Sequence, residues 1–354
     1  MKKQNKNILF ILPSMKNAGP VNVCLTIINN LPSDYYNITL LSLGEGERRA
    51  EFEKKCNIVV FKKTSLFKIL NFLYRNHFDI IHSHCTISDI YNFLCFKKTK
   101  KITTIHNYFD VDFVQTKGLI KGRLEGVVGR YVIKDFIKVA CSNAVKDYCT
   151  ERFSLKGMIA IPNGVNVPVF SNFDIEHKND DSVNFYYLGV INKRKNVEVI
   201  LDAFTEWSVG KNAKLNIIGG GVDEEVLKNK YDNEKIFFHG MIHNPHELFV
   251  NFDCFVSASK AEGLPLALIE SLSLGKAFIC SDIEPHKEVY NNTTGICGYL
   301  FNGTRKGLIK CYDAYYQTQD KGKLETYAIN TYLKYYTGAI MGQKYDDVYN
   351  SCLK

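Results

Sequence analysis

Short apolar runs alternate with helix-like segments along nearly the whole chain. Residues 7–13 form an apolar run that ends in a proline turn, which is typical of a strand buried on both faces of a parallel sheet. Residues 21–31 then have the apolar spacing of an amphipathic helix. A strand, a loop containing one glycine and a helix in this order predict the opening of a Rossmann-like α/β unit.

The alternation continues through the first half of the chain, where residues 66–76 predict a second helix. The carboxyl ends of parallel strands are where such sheets bind ligands. His84, His106 and Ser142 follow predicted strands and are therefore candidate functional residues, although an isolated histidine is more often a hydrogen-bonded structural one. The further strands are predicted at residues 36–43, 57–61, 78–84, 102–107 and 138–142.

The second half repeats the pattern after a polar stretch at residues 171–181, which has the composition of a linker. A helix is predicted at 197–207. A chain of 354 residues is too long for one comfortable core, so we expect two domains, at residues 1–168 and 169–337. The strands of the second half are predicted at residues 183–189, 214–218, 236–241, 252–256, 277–281 and 298–302.

Composition supports an ordinary globular protein, with 45% hydrophobic and 23% charged residues. Eleven cysteines are scattered singly, without a CxxC pair or a zinc spacing. This pattern indicates buried small hydrophobes in a reducing compartment. The apolar runs are too short to span a bilayer, and no secretory signal is evident, so we expect a cytoplasmic protein.

The net charge of +8 is unevenly distributed. Residues 1–170 hold 25 Lys and Arg against 13 Asp and Glu, a formal charge of +12, and the remainder carries −4. Basic clusters at 97–101 and 121–130 are consistent with a solvated face, or with a surface that contacts the anionic inner face of a membrane. A nucleic-acid partner is disfavoured, because no interleaved aromatic platform or nucleic-acid motif accompanies the charge.

The segment 261–270 (Ala-Glu-Gly-Leu-Pro-Leu-Ala-Leu-Ile-Glu) combines a strand end, a Gly-Leu-Pro turn and a helix start. Pro265 suits the first helical position, and the N–H groups of Leu266 and Ala267 form an anion seat there. Glu262 and Glu270 flank this seat. Carboxylates beside a phosphate are expected to bind hydroxyl groups, such as those of a sugar, and not the phosphate itself.

In this context the segment resembles the donor-binding motif of retaining glycosyltransferases of family 4, which have the GT-B fold. The resemblance implies an α/β protein with two Rossmann-like domains facing each other across a cleft. It also implies that a last helix, about 338–354, packs back on the N-terminal domain. Residues 162–166 (Pro-Asn-Gly-Val-Asn) resemble the family's inter-domain segment.

The resemblance implies catalytic roles for three residues. Glu262 would hold hydroxyls of the transferred sugar, His84 would lie against that sugar, and Lys195 would neutralise the leaving diphosphate. Glu262 and Lys195 also belong to the donor-binding set. The other members of the expected donor-binding set are Gly19, Arg194, Gly240, Met241, Gly263, Leu266, Ala267 and Glu270, the last for the ribose hydroxyls.

The chain departs from the family's pattern at two positions. Val190 occupies the position where relatives usually carry an arginine, and Lys193 or Arg194 is then expected to supply the charge. Gly19 stands alone where relatives usually carry a glycine pair, so its role beside the donor phosphate and acceptor rests on one residue.

The expected function is a retaining glycosyltransferase that uses a nucleotide-sugar donor, with UDP-sugars favoured. Its acceptor is expected to be a lipid-linked glycan at the inner membrane face, in bacterial capsule or O-antigen synthesis. No metal or other cofactor is expected, because cations and a helix start would stabilise the leaving group. Asp110 and Asp112 form an Asp-x-Asp sequence, but two aspartates alone make a poor Mg²⁺ site.

Two alternatives share the fold and stay open. A sugar-nucleotide 2-epimerase would convert the donor with no acceptor present. A non-catalytic GT-B protein would bind a nucleotide or a glycan without turnover. A dehydrogenase is disfavoured, because the glycine turn at 219–221 lacks the third spaced glycine of a nicotinamide site.

Overall fold

The structure is a computed structural model that describes residues 5–108, 118–166, 181–242, 246–249 and 251–353. The chain divides into two compact units. The first comprises Met1–Asn166 and Tyr336–Lys354, and the second comprises Val167–Tyr335. Asp110, Asp112 and the predicted linker up to residue 180 lie outside the described residues.

The first unit is built on a parallel sheet with the order β3-β2-β1-β4-β5-β6-β7. Its strands are β1 (Lys6–Leu12), β2 (Tyr36–Ser42), β3 (Asn57–Val60), β4 (Ile80–His84), β5 (Lys100–Ile105), β6 (Ile137–Ala140) and β7 (Ile159–Ala160). Its helices are α1 (Gly19–Asn30), α2 (Arg49–Glu53), α3 (Leu66–Arg75), α4 (Thr86–Phe93), α5 (Leu119–Val132) and α6 (Asn143–Phe153), together with a helix at the end of the chain.

The register of the central strands determines which side chains share a face. In the pairing of β1 with β4, Phe10 lies opposite His82. Side chains alternate along a strand, so His82 and His84 share one face of the sheet and Ser83 lies on the other. On the Ser83 side, the buried carboxylate of Asp89 accepts hydrogen bonds from Ser83 and Thr103, each at 2.7 Å.

The end of the chain belongs to the first unit. Val165 donates its N–H to the carbonyl of Tyr336 (3.0 Å), and this pairing separates the helix at Lys321–Tyr335 from the last helix at Gly338–Leu353. A Cβ on Gly164 would lie 2.4 Å from the carbonyl oxygen of Thr337, so the glycine of the 162–166 segment is required for this approach. A Cβ on Gly342 would lie 2.4 Å from Cβ of Asn30, because the terminal helix packs closely on α1.

The second unit is built on a parallel sheet with the order β10-β9-β8-β11-β12-β13. Its strands are β8 (Val183–Leu188), β9 (Ala213–Ile218), β10 (Ile236–Gly240), β11 (Cys254–Ser257), β12 (Ala277–Ser281) and β13 (Gly298–Phe301). Its helices are α7 (Val197–Trp207), α8 (Glu224–Lys230), α9 (His246–Phe249), α10 (Leu266–Ser273), α11 (Glu284–Asn291), α12 (Arg305–Tyr316) and α13 (Lys321–Tyr335), and the terminal helix of the first unit is α14 (Gly338–Leu353).

Aromatic side chains form the core on one side of this second sheet. Phe185 on β8 packs edge-on against Trp207 and Tyr312, with ring centroids 5.5 and 4.7 Å apart. Burial of one such side chain stabilises the fold by about 1.5–3 kcal/mol. The sheet is therefore firmly covered by α7 and α12, and its carboxyl-end loops project from a rigid platform.

Candidate active site

Three loops at the carboxyl ends of β8, β9 and β10 are joined through their backbones. Gly189 donates its N–H to the carbonyl of Ile218 (3.0 Å), and Gly219 donates its N–H to that of Gly240 (2.8 Å). Gly219 has a φ of +131°, and a Cβ there would lie 1.9 Å from the carbonyl oxygen of Gly189. The glycine turn after β9 is therefore required for close backbone packing.

The loop after β8 positions two cationic residues. The N–H of Lys195 donates to both the side-chain oxygen and the carbonyl of Asn192, each at 3.0 Å. The N–H of Lys260 donates to the carbonyl of Arg194 (2.9 Å), which ties this loop to the loop after β11. Lys195 and Arg194 thus lie beside the segment that carries Glu262.

Glu262 forms ion pairs with both cations. Its Oε1 accepts from Nζ of Lys195 at 2.5 Å, and its Oε2 accepts from Nη1 of Arg194 at 3.0 Å. The same Nη1 donates to the carbonyl of Ala261 (2.6 Å). All three side chains are largely buried, so solvent screens their charges only weakly. The structure brings together the three charged residues that the sequence assigned to donor binding and catalysis.

The protonation state of Glu262 is fixed by this arrangement. Burial by itself would raise the pKa of the carboxyl group. The charges of Lys195 and Arg194, with hydrogen bonds from Lys195 and Ser259, outweigh burial and lower the pKa to about 2. Glu262 is therefore an anion at any pH near neutrality. It can accept hydrogen bonds and stabilise positive charge, but it cannot supply a proton.

Two neighbouring residues received no role from the sequence. Ser281 donates its hydroxyl to the carbonyl of Ser259 (2.6 Å), and Nδ1 of His286 lies 2.8 Å from the carbonyl oxygen of Ser281. Burial lowers the pKa of His286 to about 4, although the charge of Glu262 acts to raise it. The network braces the loop that carries Glu262. The sequence feature that could have pointed to this network is the polar cluster directly after the predicted strand at 277–281.

The helix that carries the anion seat begins at Leu266, one residue later than the sequence predicts. Pro265 has a ψ of 114° and is the N-cap, so Leu266 is the first helical residue of α10. Leu266 and Ala267 have N–H groups without a partner inside the helix. Gly275, with a φ of +72°, ends the helix as predicted. Gly263 is buried before the helix, and Glu270 is partly buried in its second turn.

The remaining donor-side residues lie at the ends of β8 and β10. Gly240 has a φ of +66°, and Met241 after it is 71% exposed. Val190 is half exposed, and its carbonyl accepts from the hydroxyl of Tyr187 at 2.8 Å. Of Lys193 and Arg194, it is Arg194, four residues beyond the usual arginine position, that contacts Glu262, and the side chain of Lys193 is exposed.

In the first unit, His84 at the end of β4 pairs with His106 after β5. Nδ1 of His84 lies 2.8 Å from Nε2 of His106. Nε2 of His84 is buried and has no hydrogen-bond partner within the described ranges. Two neutral imidazoles share one proton across such a contact, so the tautomer of His106 decides whether this free Nε2 is a donor or an acceptor.

The backbone after His84 is strained. Cys85 has a φ of +71° and a ψ of 152°, a conformation that side chains with a Cβ rarely adopt. It is held there as the N-cap of α4, where its carbonyl accepts the N–H groups of Ser88 and Asp89, each at 3.0 Å. Strain of this kind is concentrated at functional sites. It is a second indication, independent of the resemblance, that the end of β4 is functional.

The pKa values of three histidines of this unit, His82, His84 and His106, are lowered, so these three rings are uncharged near neutral pH. Burial lowers the pKa of His82 and of His106 to about 3, and burial with neighbouring rings lowers the pKa of His84 well below its ordinary value. His82 is a structural member of the group, because its ring nitrogens contact the hydroxyls of Tyr349 (2.7 Å) and Thr104 (2.8 Å). His84 can therefore hydrogen-bond a neutral hydroxyl but offers no charge to a phosphate.

Two further candidates of the first unit differ in character. Gly19 is the exposed first residue of α1, and a Cβ there would meet no atom within 4 Å, so the fold itself does not require a glycine. Ser142 caps α6, because its hydroxyl oxygen accepts the N–H of Val145 at 3.1 Å. A structural role therefore accounts for Ser142. In the described part of the chain, no three His, Cys, Asp or Glu side chains converge as metal ligands would.

Comparison with known proteins identifies the family. Residues 18–168 match the family described as Glycosyltransferase Family 4, and residues 170–310 match Glycosyl transferases group 1. The chain is 24% identical over 370 residues to the O-antigen biosynthesis glycosyltransferase WclY of Escherichia coli, which covers 98% of this chain and 99% of the relative. It is 23% identical over 305 residues to an Escherichia coli UDP-Gal:alpha-D-GlcNAc-diphosphoundecaprenol alpha-1,3-galactosyltransferase, covering 78% and 79%.

Solved structures with a similar fold include Anabaena HepE in complex with UDP-glucose. The TM-score is 0.80 at 16% identity, over 98% of this chain and 99% of that one. The apo lipopolysaccharide outer core galactosyltransferase WaaB matches with a TM-score of 0.70 at 18% identity, over 98% and 99%. The two parallel α/β units predicted from the sequence are therefore confirmed as the GT-B fold. This chain belongs to glycosyltransferase family 4 and is a glycosyltransferase.

Proposed function

We propose that the protein transfers a sugar from a UDP-sugar to a lipid-linked glycan, with retention of anomeric configuration, in O-antigen or capsule synthesis. The observation that carries the proposal is the buried pairing of Glu262 with Lys195 and Arg194. The relatives support the substrate classes. WclY is named for O-antigen synthesis, the galactosyltransferase is named for UDP-Gal and a diphosphoundecaprenol acceptor, and HepE holds UDP-glucose.

The cations suit a leaving diphosphate. A lysine ammonium has three N–H donors and an arginine guanidinium has five, so Lys195 and Arg194 keep donors for phosphate while they contact Glu262. The helix start at Leu266 and Ala267 adds partial positive charge. Together these groups would stabilise the negative charge that grows on the diphosphate as the glycosidic bond breaks. We therefore propose that transfer needs no metal ion.

The other residues would orient the donor. Glu262, as a permanent anion, would accept hydroxyls of the transferred sugar and favour a developing oxocarbenium ion. Glu270 would accept the ribose hydroxyls, and the backbone of Gly240 and Met241 would hold the nucleobase. The free Nε2 of His84 would bind a further sugar hydroxyl. Gly19 would leave room for the donor phosphate and the acceptor.

The proposed reaction is a front-face substitution. The bond between the anomeric carbon and the diphosphate oxygen breaks, and the acceptor oxygen forms its bond on the same face of the sugar. The acceptor proton passes to the leaving phosphate oxygen. Glu262 stabilises the cationic sugar electrostatically in this scheme and forms no covalent bond.

The protein is proposed to work in the cytoplasm, peripherally on the inner face of the membrane. The formal charge of +12 on residues 1–170 favours an anionic lipid surface by about 1 kcal/mol for each basic residue that approaches it. A lipid-linked acceptor would be presented at that surface.

The first test is a donor panel. Purified protein is incubated with UDP-, GDP-, ADP- and dTDP-sugars in EDTA, with and without a lipid-linked glycan extract. The expected result is release of UDP that requires the extract and that is strongly reduced in Glu262→Gln. Product linkage is then determined by nuclear magnetic resonance, and retention of the donor's anomeric configuration is expected.

Other outcomes would select an alternative. Conversion of a UDP-sugar to its 2-epimer without acceptor would identify an epimerase. Thermal protection by UDP without turnover on any extract would identify a non-catalytic binding protein. Activity that EDTA removes and Mg²⁺ restores would contradict the metal-independent reaction. An inverted product would contradict the front-face mechanism.

A further inference from the structure

Helix α5 (Leu119–Val132) carries large apolar side chains in solvent. Ile120 is 83% exposed, Leu124 64%, Val127 54% and Tyr131 69%. Single exposed apolar residues are ordinary on a protein surface, but a contiguous group marks a contact surface. At about 100° per residue, these four side chains fall within an arc of roughly 60° on the helix.

The opposite face of α5 is made of glycine. Gly122, Gly126 and Gly129 are buried there, and the helix packs against α4. Glycine is a poor helix former, so three glycines on one face indicate close packing and not helix stability. Phe93 on α4 contacts Tyr131 at the edge of this packing, with ring centroids 6.2 Å apart. The apolar arc therefore points away from the unit that holds the helix.

Basic residues border the apolar arc on both sides. Lys121 lies beyond one edge, and Arg123 and Arg130 lie beyond the other. The guanidinium of Arg130 is held over the ring of Phe153, 4.0 Å from its centroid. An apolar stripe with flanking Lys and Arg is the pattern of a helix that lies in the plane of an anionic membrane interface.

The other basic cluster is partly used within the fold. Nζ of Lys97 donates to the carbonyl of Asn76 at the end of α3 (2.7 Å), and Nζ of Lys101 donates to the carbonyl of Phe93 at the end of α4 (3.0 Å). These two lysines stabilise helix ends. The charges of these two lysines are therefore directed at backbone carbonyls, whereas α5 combines an apolar arc with flanking exposed cations.

We propose that α5 docks in the interface of an anionic bilayer, with Ile120, Leu124, Val127 and Tyr131 among the acyl chains. Lys121, Arg123 and Arg130 would then contact acidic headgroups. The proposed partner of this surface is an anionic lipid bilayer, because cationic residues border the apolar arc. None of the helices in the described ranges is long and apolar enough to cross a membrane. The inference deepens the proposed function, since it names the element that would bring the enzyme to a lipid-linked acceptor.

The test measures vesicle binding alone, without donor or acceptor. Full-length protein is floated with phosphatidylglycerol–phosphatidylcholine vesicles and with pure phosphatidylcholine vesicles. Binding to the anionic vesicles is expected to weaken at least tenfold in the double variant Ile120→Gln/Leu124→Gln. The matched control Val226→Gln/Leu333→Gln also removes two exposed aliphatic side chains from helices, 68% and 57% exposed, and should bind like the parent.

A second variant reports insertion directly. The chain has one tryptophan, Trp207, which is 3% exposed in the core of the second unit. The variant Ile120→Trp therefore adds a reporter on α5, and anionic vesicles should shift its emission to the blue and brominated acyl chains should quench it. Unshifted, unquenched emission would overturn the proposal. So would a dimer in sedimentation that Ile120→Gln/Leu124→Gln dissociates, because α5 would then contact a second copy.

These outcomes separate the inference from the proposed function. UDP protection against heat, measured without vesicles, should be equal in the parent and in both double variants. Loss of vesicle binding with intact UDP protection concerns α5 alone. Absence of UDP protection in the parent would contradict the donor site and leave the result for α5 standing.

Discussion

The sheets of the two units have the same order over six strands, but the polar groups at their strand ends differ in character. In each, a central strand is followed by the proposed site residues, β4 by His84 in the first unit and β8 by Lys195 in the second. The first unit holds a neutral pair of histidines, the buried His84 and the partly buried His106. The second holds three charges that neutralise one another in part. One scaffold thus presents hydrogen bonds at one site and fixed charge at the other.

The difference has a physical basis. Burial lowers the pKa of an imidazole, so the ring stays neutral when no carboxylate is near it. A buried carboxyl group keeps its charge near neutral pH when cations lie beside it, and Glu262 has two. Neutral groups suit the hydroxyls of a sugar, whereas fixed cations suit a diphosphate whose charge grows during the reaction. In the proposed function, the second unit therefore contributes more to kcat than the first.

The largest effect is expected in the charged site. Glu262→Gln and Lys195→Ala should each lower kcat by about 10²–10³-fold, because each removes electrostatic stabilisation of the transition state. Steady-state assays with the preferred donor measure this, and circular dichroism checks the fold. Lys193→Ala is the matched control, since it removes an exposed lysine from the same loop and should change kcat less than about threefold. Equal losses of kcat in Lys193→Ala and Lys195→Ala would show that the ion pair of Lys195 with Glu262 is not the reason for the effect.

A smaller effect is expected in the neutral site. His84→Ala should lower kcat/KM by about 10–100-fold through the loss of one hydrogen bond to the sugar. His106→Asn should have a weaker effect of the same kind, because it removes only the group that sets the tautomer of His84. A donor analogue lacking the sugar hydroxyl contacted by His84 tests the assignment. If His84→Ala lowers activity on every such analogue as much as on the parent donor, the contact does not exist.

The pH dependence of stability should also separate the units. Below pH 6.5 the unfolded chain binds protons that the buried rings of His82 and His106, with a pKa of about 3, do not bind. These rings should therefore lower the free energy of unfolding as pH decreases, by up to about 1.4 kcal/mol per pH unit for each ring. Asp89 acts in the opposite direction between about pH 7 and 4, because burial raises its pKa to about 7, and it offsets the effect of about one ring. The pKa of Glu262 is lowered from 4.5 to about 2. Glu262 therefore contributes fully to the free energy of unfolding above pH 4.5 and loses this contribution as the pH falls from 4.5 to about 2.

Hydrogen exchange measures this comparison region by region. Between pH 6.5 and 5, after correction for intrinsic exchange rates, amides of β4, β5 and α14 should lose protection more than those of β8 and β11. In the described part of the second unit one histidine ring is fully buried, that of His286 with a pKa of about 4, so the loss of protection there should be smaller. Equal losses in both units would mean that the histidines of the first unit are not the cause.

The smallest effect is expected at the position of the missing arginine. Val190→Arg adds a cation beside a site where Arg194 already contacts Glu262. The donor KM should therefore change by less than about threefold. Isothermal titration with UDP provides a second measurement. A tenfold gain in affinity would mean that Arg194 does not replace the usual arginine.

Much of the fold was predictable because local patterns carry it. Every strand predicted in the first unit at 7–13, 36–43 and 57–61 has a counterpart in β1, β2 and β3, since buried parallel strands leave continuous apolar runs. Boundaries differed by one to two residues. The pairing of Tyr336 with Val165 was not predicted, because the two residues are remote in sequence.

The sequence alone determined the α/β class, the two domains and the candidate residues of the donor site, because strand periodicity, helix starts and motif spacing are local. It also supplied the charges of Glu262, Lys195 and Arg194. Tertiary structure decided that Arg194, and not Lys193, reaches Glu262, that His106 contacts His84, and that α5 turns glycine inward and apolar side chains outward. These facts depend on how distant segments pack together, and packing sets burial and pKa in ways that no local pattern records.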